Sequence, residues 1–429
     1  MLGALVRSGF ALSLDPEEAD VLIVNTCAFI DAAKRESLDA IMEAIALKPQ
    51  VPGRKLVVAG CLAQRYGAEL KAAFPEVDIL IGTGNFLELP RLLRRTPGLL
   101  DGNKAESLYP GAAHLLPSHE MPRLLTGNPW SAYVKVSEGC NHKCSFCIIP
   151  KIRGVHQSRP LDDVVAEVKA LVRSGVREVN LVAQDLTAYG RDLEPRSSLS
   201  ALLRALAEIE NLRWIRLLYC YPNFVTDELL RTIAELPQVV KYIDMPLQHA
   251  DDQILRVMRR ERSVAGLRKL LDRIRSAIPD VVLRTSFIVG FPGEGEAEFA
   301  RLLDFVREQR FDRVGVFAYS REEGTAAFDL PGQVPERVKQ ARRRRLMEVQ
   351  AEISREKNRE LVGKEVEVLL ESDGDCPSSG LRGRLPGQAP EIDGGVLLRG
   401  VGRAGTFVRA KIEKAFTYDL HAKIVNAVT

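Results

Sequence analysis

The chain has 429 residues, 46% hydrophobic and 27% charged, a composition that excludes disordered, collagenous and coiled-coil classes and predicts a folded protein with a sizeable core. At roughly 150 residues per domain, that length predicts two to four domains. Sixty basic against 57 acidic residues leave a net charge of +3, too small a surplus to argue for a nucleic-acid partner on charge alone.

The N-terminus meets a charge at Arg7 and carries no apolar leader, and no later stretch stays apolar for the ~18 residues of a membrane span, so a cytoplasmic protein is expected. Seven cysteines, an odd number without a secretory signal, point to metal binding or catalysis rather than to disulfides.

Residues 1–95 alternate apolar runs with helical patterns: strands are predicted over 21–24, 55–59 and 78–81, and helices over 31–47 and 62–74. Such alternation predicts an open, mainly parallel sheet. Two of its strands run into a cysteine, Cys27 and Cys61, at the strand ends where parallel sheets gather ligands. Residues 96–129 lose periodicity, collect Pro, Gly, His and Ser, and are expected to be a linker.

Alternation resumes over 130–332, with strands predicted over 133–136, 178–182, 214–218, 241–244, 281–289 and 313–317. Six strand-helix units make a partial parallel barrel, with chemistry at the C-terminal ends of its strands. Residues 333–361 form a charged connecting helix, whose run from Arg342 to Arg345 is expected to be a solvated face rather than a nucleic-acid patch. The last segment, 362–429, is short-stranded and glycine-rich, as in a small all-β barrel.

The chemistry is concentrated at Cys140, Cys144 and Cys147, spaced C-x-x-x-C-x-x-C just after a predicted strand. Thiolates at that spacing can converge on one inorganic cluster, and soft thiolates suit iron-sulfur or zinc. Three local ligands rather than four leave one iron of a cubane open to a substrate or cofactor, whereas a structural zinc site closes with four. A zinc ribbon completed by His142 or His156, in an RNA-binding protein, is the alternative of another class; no second C-x-x-C follows at ribbon spacing.

This loop resembles the hallmark of radical S-adenosylmethionine enzymes, and the downstream Ile149-Pro150, Arg153-Gly154 and Ser158-Arg159 are similar to one branch of them, the methylthiotransferases. The resemblance covers essentially the whole chain, its tail resembling a TRAM domain, an OB-like barrel. Tyr219-Cys220-Tyr221-Pro222, Asp244-Met245-Pro246-Leu247-Gln248-His249 and Ala389-Pro390-Glu391-Ile392-Asp393-Gly394 look like the members that modify an aspartate of a small-subunit ribosomal protein. The members acting on tRNA adenosine, the same-class alternative, usually carry a serine-glycine-serine run where this chain has His249-Ala250-Asp251.

The resemblance implies that Cys140, Cys144 and Cys147 hold a 4Fe-4S cluster whose open iron chelates S-adenosylmethionine, cleaved by one electron to a 5'-deoxyadenosyl radical. Abstraction of a hydrogen atom suits the unactivated β-carbon of aspartate, which offers no acidic proton. A second, auxiliary 4Fe-4S cluster then supplies sulfur that is methylated by another S-adenosylmethionine, with reductant and sulfur source coming from unidentified donors. Of the auxiliary cluster's three family ligands only Cys27 and Cys61 are matched; the first belongs ahead of the residues resembling Met1-Leu2-Gly3, so a start codon placed too far downstream is expected in preference to a lost ligand.

Lesser signals carry ordinary explanations beside functional ones. The strand ending at Val289-Gly290-Phe291-Pro292-Gly293 resembles one that lies beside the cofactor's adenine, which makes Gly290 a candidate contact; it is equally an ordinary strand-helix loop. Gln184 resembles residues near the methionine moiety. His249 is expected to be packed or hydrogen-bonded rather than catalytic, Cys220 to be buried packing and Cys376 a loop thiol. Gly82-Thr83-Gly84 lacks the rest of a dinucleotide fingerprint. The acidic strip Glu365, Glu367, Glu371, Asp373 and Asp375 is a solvated edge or a surface for a basic ribosomal protein.

Overall fold

The structure, a computed structural model, describes residues 1–95, 106–108, 116–374 and 380–427. The chain divides into two compact units, one of Met1–Leu124, Glu138–Gln157 and Ser320–Phe328, the other of Leu125–Ser137, Ser158–Tyr319 and Asp329–Thr429.

The first unit is built on a parallel sheet of β1 (Val21–Thr26), β2 (Lys55–Gly60), β3 (Ile79–Ile81) and β4 (Glu106–Leu108), in that order. Helices α1 (Leu2–Arg7), α2 (Asp31–Leu47), α3 (Cys61–Ala73) and α4 (Leu89–Arg95) accompany it. Alternate residues of β2 enter two different cores: Leu56 and Val58 join Leu22, Ile41 and Leu62, while Val57 and Ala59 join Leu5, Ile79 and Leu92. A strand covered on both faces has no polar side, which is why it reads as an unbroken apolar run.

The sheet continues past the expected boundary at residue 95, because β4 pairs in parallel with β3 inside the stretch read as a linker. Three residues leave no periodic signal, so sequence patterning passes over such a strand. The remainder of that stretch from 96 to 105 and from 109 to 115 lies outside the described residues. Within this unit Glu322, buried, accepts from Lys34 at 2.9 Å and Arg65 at 3.0 Å, which ties the 320–328 segment to α2 and α3.

The second unit carries six parallel strands: β5 (Ser131–Lys135), β8 (Glu178–Val182), β9 (Trp214–Leu217), β10 (Val239–Asp244), β11 (Val282–Val289) and β12 (Arg313–Ala318). Two-residue strands β6 (Ser137–Glu138) and β7 (Gln157–Ser158) and the short helix α5 (Ile149–Arg153) fall between β5 and β8 in the chain. Each strand pairs with the next in sequence, the topology of a partial (βα)6 barrel. Its core takes one residue after another from the strands, Val134, Leu181, Leu217, Ile243, Phe287 and Val316, under helices α6 (Leu161–Arg173), α7 (Leu199–Ala207), α8 (Asp227–Glu235), α10 (Val264–Ala277) and α11 (Glu296–Gln309). Ser198, Thr226 and Ser263 cap α7, α8 and α10 by accepting from the amides of Ala201, Leu229 and Gly266; Asp251 does the same for α9 (Asp252–Val257) through Ile254.

The connecting helix α12 (Glu336–Arg359) turns a stripe of Lys339, Arg342, Leu346, Val349 and Ile353 inward. Three residues of the basic run, Arg343, Arg344 and Arg345, are exposed as expected of a solvated face, but Arg342 is buried against Glu294. Beyond it, β13 (Glu365–Leu370), β14 (Gly380–Arg384), β15 (Val396–Arg399), β16 (Phe407–Ala415) and β17 (Leu420–Ala427) close a barrel in the order β13-β14-β15-β17-β16 around Val368, Leu381, Leu398, Ala410 and Ile412.

This small barrel packs on the N-terminal ends of the strands of the large one, through Trp214, Tyr242, Leu369, Ala389 and Phe407. Beneath that apolar patch Glu178 accepts from Arg216 at 3.0 Å and Arg384 at 2.6 Å. Asp393 accepts from the Tyr242 hydroxyl at 2.8 Å, so the segment 389–394 is a closure piece between the two barrels. The acidic strip is largely engaged inside the protein: Glu367 accepts from Arg213 and from Trp214 Nε1, Glu371 from Arg384, and Asp373 from the Ala404 amide. Asp375 and Cys376 lie outside the described residues.

Candidate functional site

Parallel pairing decides where Cys27 and Cys61 stand. Thr26 is in register with Gly60, so the next residue of each strand leaves the same edge of the sheet beside its neighbour. Cys27 is exposed and Cys61, the first residue of α3, is buried. The turn into α3 needs glycine: Gly60 has φ +103°, and a Cβ there would stand 2.6 Å from the Thr26 carbonyl oxygen. The Cys27 amide donates to Ser37 Oγ at 3.0 Å, which fixes the other strand end.

The Cys140, Cys144 and Cys147 loop is tied at both ends within the same unit. Gly139, at φ +80°, lets the chain pass where a Cβ would meet the Val155 carbonyl oxygen at 2.1 Å. The Cys140 amide donates to the Gly154 carbonyl at 3.0 Å, the Cys147 amide to that of Cys144 at 3.1 Å, and the His156 amide to Asn141 Oδ1 at 3.0 Å. Ile148 and Ile152 anchor α5 in the core that holds Leu56 and Leu62. The three cysteines are half-buried thiols presented by one loop, the donor set that a 4Fe-4S cluster takes. Among the described residues no three His, Cys, Asp or Glu side chains converge on the position of a single metal ion.

Sequence spacing gave Arg153 no part beyond a motif match. In the structure its guanidinium NH1 donates to Glu138 Oε1 at 2.9 Å and its NH2 to Cys61 Sγ at 3.3 Å. Burial opposes the charge of Arg153, yet Cys61 and Glu138 hold its pKa above the ordinary arginine value. No local signal could have revealed this contact, because Cys61 and Arg153 are 92 residues apart in the chain.

In the second unit, Gln184 follows β8, and its buried Oε1 has no hydrogen-bond partner. An orphaned buried acceptor is costly, and it fits a bound group that brings an N–H donor, as the ammonium of S-adenosylmethionine does. Gly290 follows β11 at φ +71°, and the close approach it permits is that of Lys339, whose Cγ would lie 2.3 Å from a Cβ. The Gly290 amide donates to Glu294 Oε2 at 2.8 Å, an oxygen also 3.3 Å from His249 Nε2, while Arg342 donates to Glu294 Oε1 at 3.0 Å. His249 is thus a fully buried, hydrogen-bonded histidine. Cys220 is packed within the barrel, where burial first, and then Asp244 and Asp185, push its thiol far up and keep it inert. Thr83, in the Gly82-Thr83-Gly84 turn, donates its amide to Gln64 Oε1.

Backbone strain also gathers at these strand ends, a feature that residue types did not announce. Tyr219 after β9 and Gln248 after β10 are non-glycine residues with φ of +67° and +75°. The Tyr219 amide donates to Asp244 Oδ2 at 3.3 Å, and its carbonyl accepts from the Leu186 amide at 3.0 Å. Burial pushes the Asp244 carboxyl up, with Arg284 at 2.7 Å partly offsetting it.

Known families account for most of the chain. Residues 134–306 match the radical SAM superfamily, residues 1–82 the family described as "Uncharacterized protein family UPF0004", and residues 362–425 the TRAM domain. The chain is 45% identical over 427 residues to a protein of Citrifermentans bemidjiense named "Ribosomal protein uS12 methylthiotransferase RimO", covering 99% of this chain and 94% of that one. Proteins of the same name from Anaeromyxobacter sp. (strain Fw109-5) and Myxococcus xanthus are 48% and 46% identical, each over 99% of this chain and 89% and 88% of theirs. Among solved structures, the radical S-adenosylmethionine methyltransferase TsrM from Kitasatospora setae shares the fold, with a TM-score of 0.55 at 14% identity, covering 73% of this chain and 67% of its own. The radical SAM family implies a 4Fe-4S cluster and S-adenosylmethionine. The chain therefore belongs to the radical S-adenosylmethionine methylthiotransferases, in the RimO branch.

Proposed function

We propose that this protein attaches a methylthio group to the β-carbon of an aspartate in ribosomal protein uS12. What carries the reading is the three-cysteine loop in a chain similar over 99% of its length to enzymes named for that protein substrate. The relatives' name does not favour the tRNA alternative, and the radical SAM match does not favour a zinc-stabilised RNA-binding protein.

In this reading Cys140, Cys144 and Cys147 are the three protein ligands of the radical cluster, and Cys27 with Cys61 ligate an auxiliary 4Fe-4S cluster. The Cys140 loop would hold the cluster, which would supply one-electron reductive cleavage of S-adenosylmethionine. Gln184 Oε1 would accept from the cofactor's ammonium, and the backbone at Gly290 would border its adenine.

The proposed domains are 1–95 for the methylthiotransferase part, 96–129 for a linker that lends β4 to its sheet, 130–332 for the radical SAM core, 333–361 for the connecting helix and 362–429 for the TRAM domain. Reductant and sulfur come from separate donors, and the proposed compartment is the cytoplasm; no helix among the described residues is long and apolar enough to cross a membrane.

The deciding experiment incubates the anaerobically reconstituted protein with uS12, tRNA, S-adenosylmethionine, reductant and sulfide, then weighs uS12 and digests the tRNA to nucleosides. A uS12 heavier by one methylthio group, with unmodified adenosine, is expected. Modified adenosine with unchanged uS12 would overturn the proposal. Alanine at Cys140, Cys144 or Cys147 should abolish reductive cleavage of S-adenosylmethionine, and cleavage surviving in all three variants would remove the cluster assignment.

A further inference from the structure

Arg153 links Cys61 to the chain that flanks the Cys140 loop. It closes α5, downstream of the Cys140 loop; one arm of its guanidinium holds Glu138, two residues before Cys140, at 2.9 Å, and the other holds Cys61 Sγ at 3.3 Å. An ion pair with Glu138, which is buried, would by itself satisfy the charge of Arg153. The fork of the guanidinium leaves a second arm, and it is set on the Cys61 sulfur. Cys27 and Cys61 at neighbouring strand ends, with a charged N–H donor on the second sulfur, supply two of the thiol ligands that an anionic iron-sulfur group takes.

We infer that Arg153 is a positioning residue of the auxiliary centre, holding Cys61 Sγ in its ligating orientation, raising the reduction potential of a cluster bound there, and fastening it to the segment that carries Cys140. The inference rests on the proposed role of Cys61 as a ligand. Adding an electron increases the negative charge on cluster sulfurs, so an N–H donor and a positive charge beside Cys61 stabilise the reduced form more than the oxidised one. Removing Arg153 therefore lowers the potential. Glu138 anchors the guanidinium from the other side, and neutralising it frees the arm to drift from the sulfur.

The test uses the full chain with Cys140, Cys144 and Cys147 all replaced by alanine, so that only the auxiliary centre can load. After anaerobic reconstitution, iron is counted and the midpoint potential is read by redox titration followed by electron paramagnetic resonance. Iron in this background reads the auxiliary centre alone, with Cys27 and Cys61 as its ligands from this chain. In this background Arg153→Gln should keep its iron and lower the midpoint potential, with Arg153→Lys and Glu138→Gln lowering it less. Iron retained with a potential unmoved in both Arg153 variants overturns the inference and leaves the ligand assignment standing. A parent chain that binds no iron overturns the auxiliary-cluster reading and this inference with it. Should Arg153→Gln fail to fold, Arg153→Lys decides alone: a lowered potential supports the inference and an unmoved one overturns it.

Discussion

Replacing Glu178 by glutamine should loosen the C-terminal barrel from the strand barrel by about 3 kcal/mol. The Glu178 carboxylate is fully buried and accepts from Arg216 Nε and NH2 at 3.2 and 3.0 Å, Arg384 NH1 and NH2 at 3.2 and 2.6 Å, and Ser131 Oγ at 2.8 Å. Burial alone would raise its pKa, but Arg216 and Arg384 outweigh that and hold it at about 2, against an ordinary 4.5. A fall of that size corresponds to roughly 3 kcal/mol favouring the ionised, folded state. Breaking a buried pair from one side costs about 3 to 5 kcal/mol, and glutamine sits at the low end because Arg216 keeps the Pro386 carbonyl and Arg384 keeps Glu371.

The chain's two tryptophans report on this interface directly. Trp214 lies in the patch between the barrels, donating to Glu367 at 3.1 Å, and Trp130 packs against it. Urea unfolding followed by intrinsic fluorescence should therefore show the midpoint falling by about 1–3 M, given a slope of about 1–3 kcal/mol per molar. A midpoint within ~0.3 M of the parent would refute the argument that the pair is uncompensated once broken. Since the folded pKa is depressed, the stabilisation is complete above about 4.5 and is lost as pH falls toward about 2. The midpoint gap between parent and Glu178→Gln should accordingly narrow between roughly pH 5 and pH 3.

Gly290→Ala should destabilise the protein by about 2–4 kcal/mol, because alanine pays both for φ +71° and for the clash with Lys339; adding Lys339→Ala should recover the clash but not the backbone term. Strictly additive losses in thermal melts would show that the two residues do not meet. Tyr242→Phe removes the hydroxyl that donates to Asp393 and should cost about 1–2 kcal/mol of stability, read as a lower fluorescence-detected midpoint, and an unchanged midpoint would place the closure elsewhere. Alanine at Cys27 or Cys61 should leave reductive cleavage of S-adenosylmethionine intact while stopping the mass gain of uS12. Methylthiolated uS12 from either variant would exclude that cysteine as a ligand.

Much of this was legible in residue order. The helix over 31–47 and the strand over 178–182 stand where their periodicity put them, and the other barrel strands differ by a residue or two at their ends. The reason is that strand-helix alternation and a three-cysteine spacing are short-range patterns, written within one turn or one loop. Tyr219 and Gln248 were less accessible, since their left-handed backbones are imposed by Asp244 and by the neighbouring strand rather than by their side-chain types.

The sequence by itself determined the order of sheet, partial barrel and small barrel, and the branch of the family, because each rests on adjacent residues. Only the tertiary structure decided which distant charges meet: Arg153 with Cys61 across 92 residues, Glu178 with Arg384 across 206, and Arg342 turned inward from an otherwise solvated basic run. Those pairings depend on how packed elements bring side chains together from far apart in the chain, and nothing in the spacing of residues along it encodes that meeting.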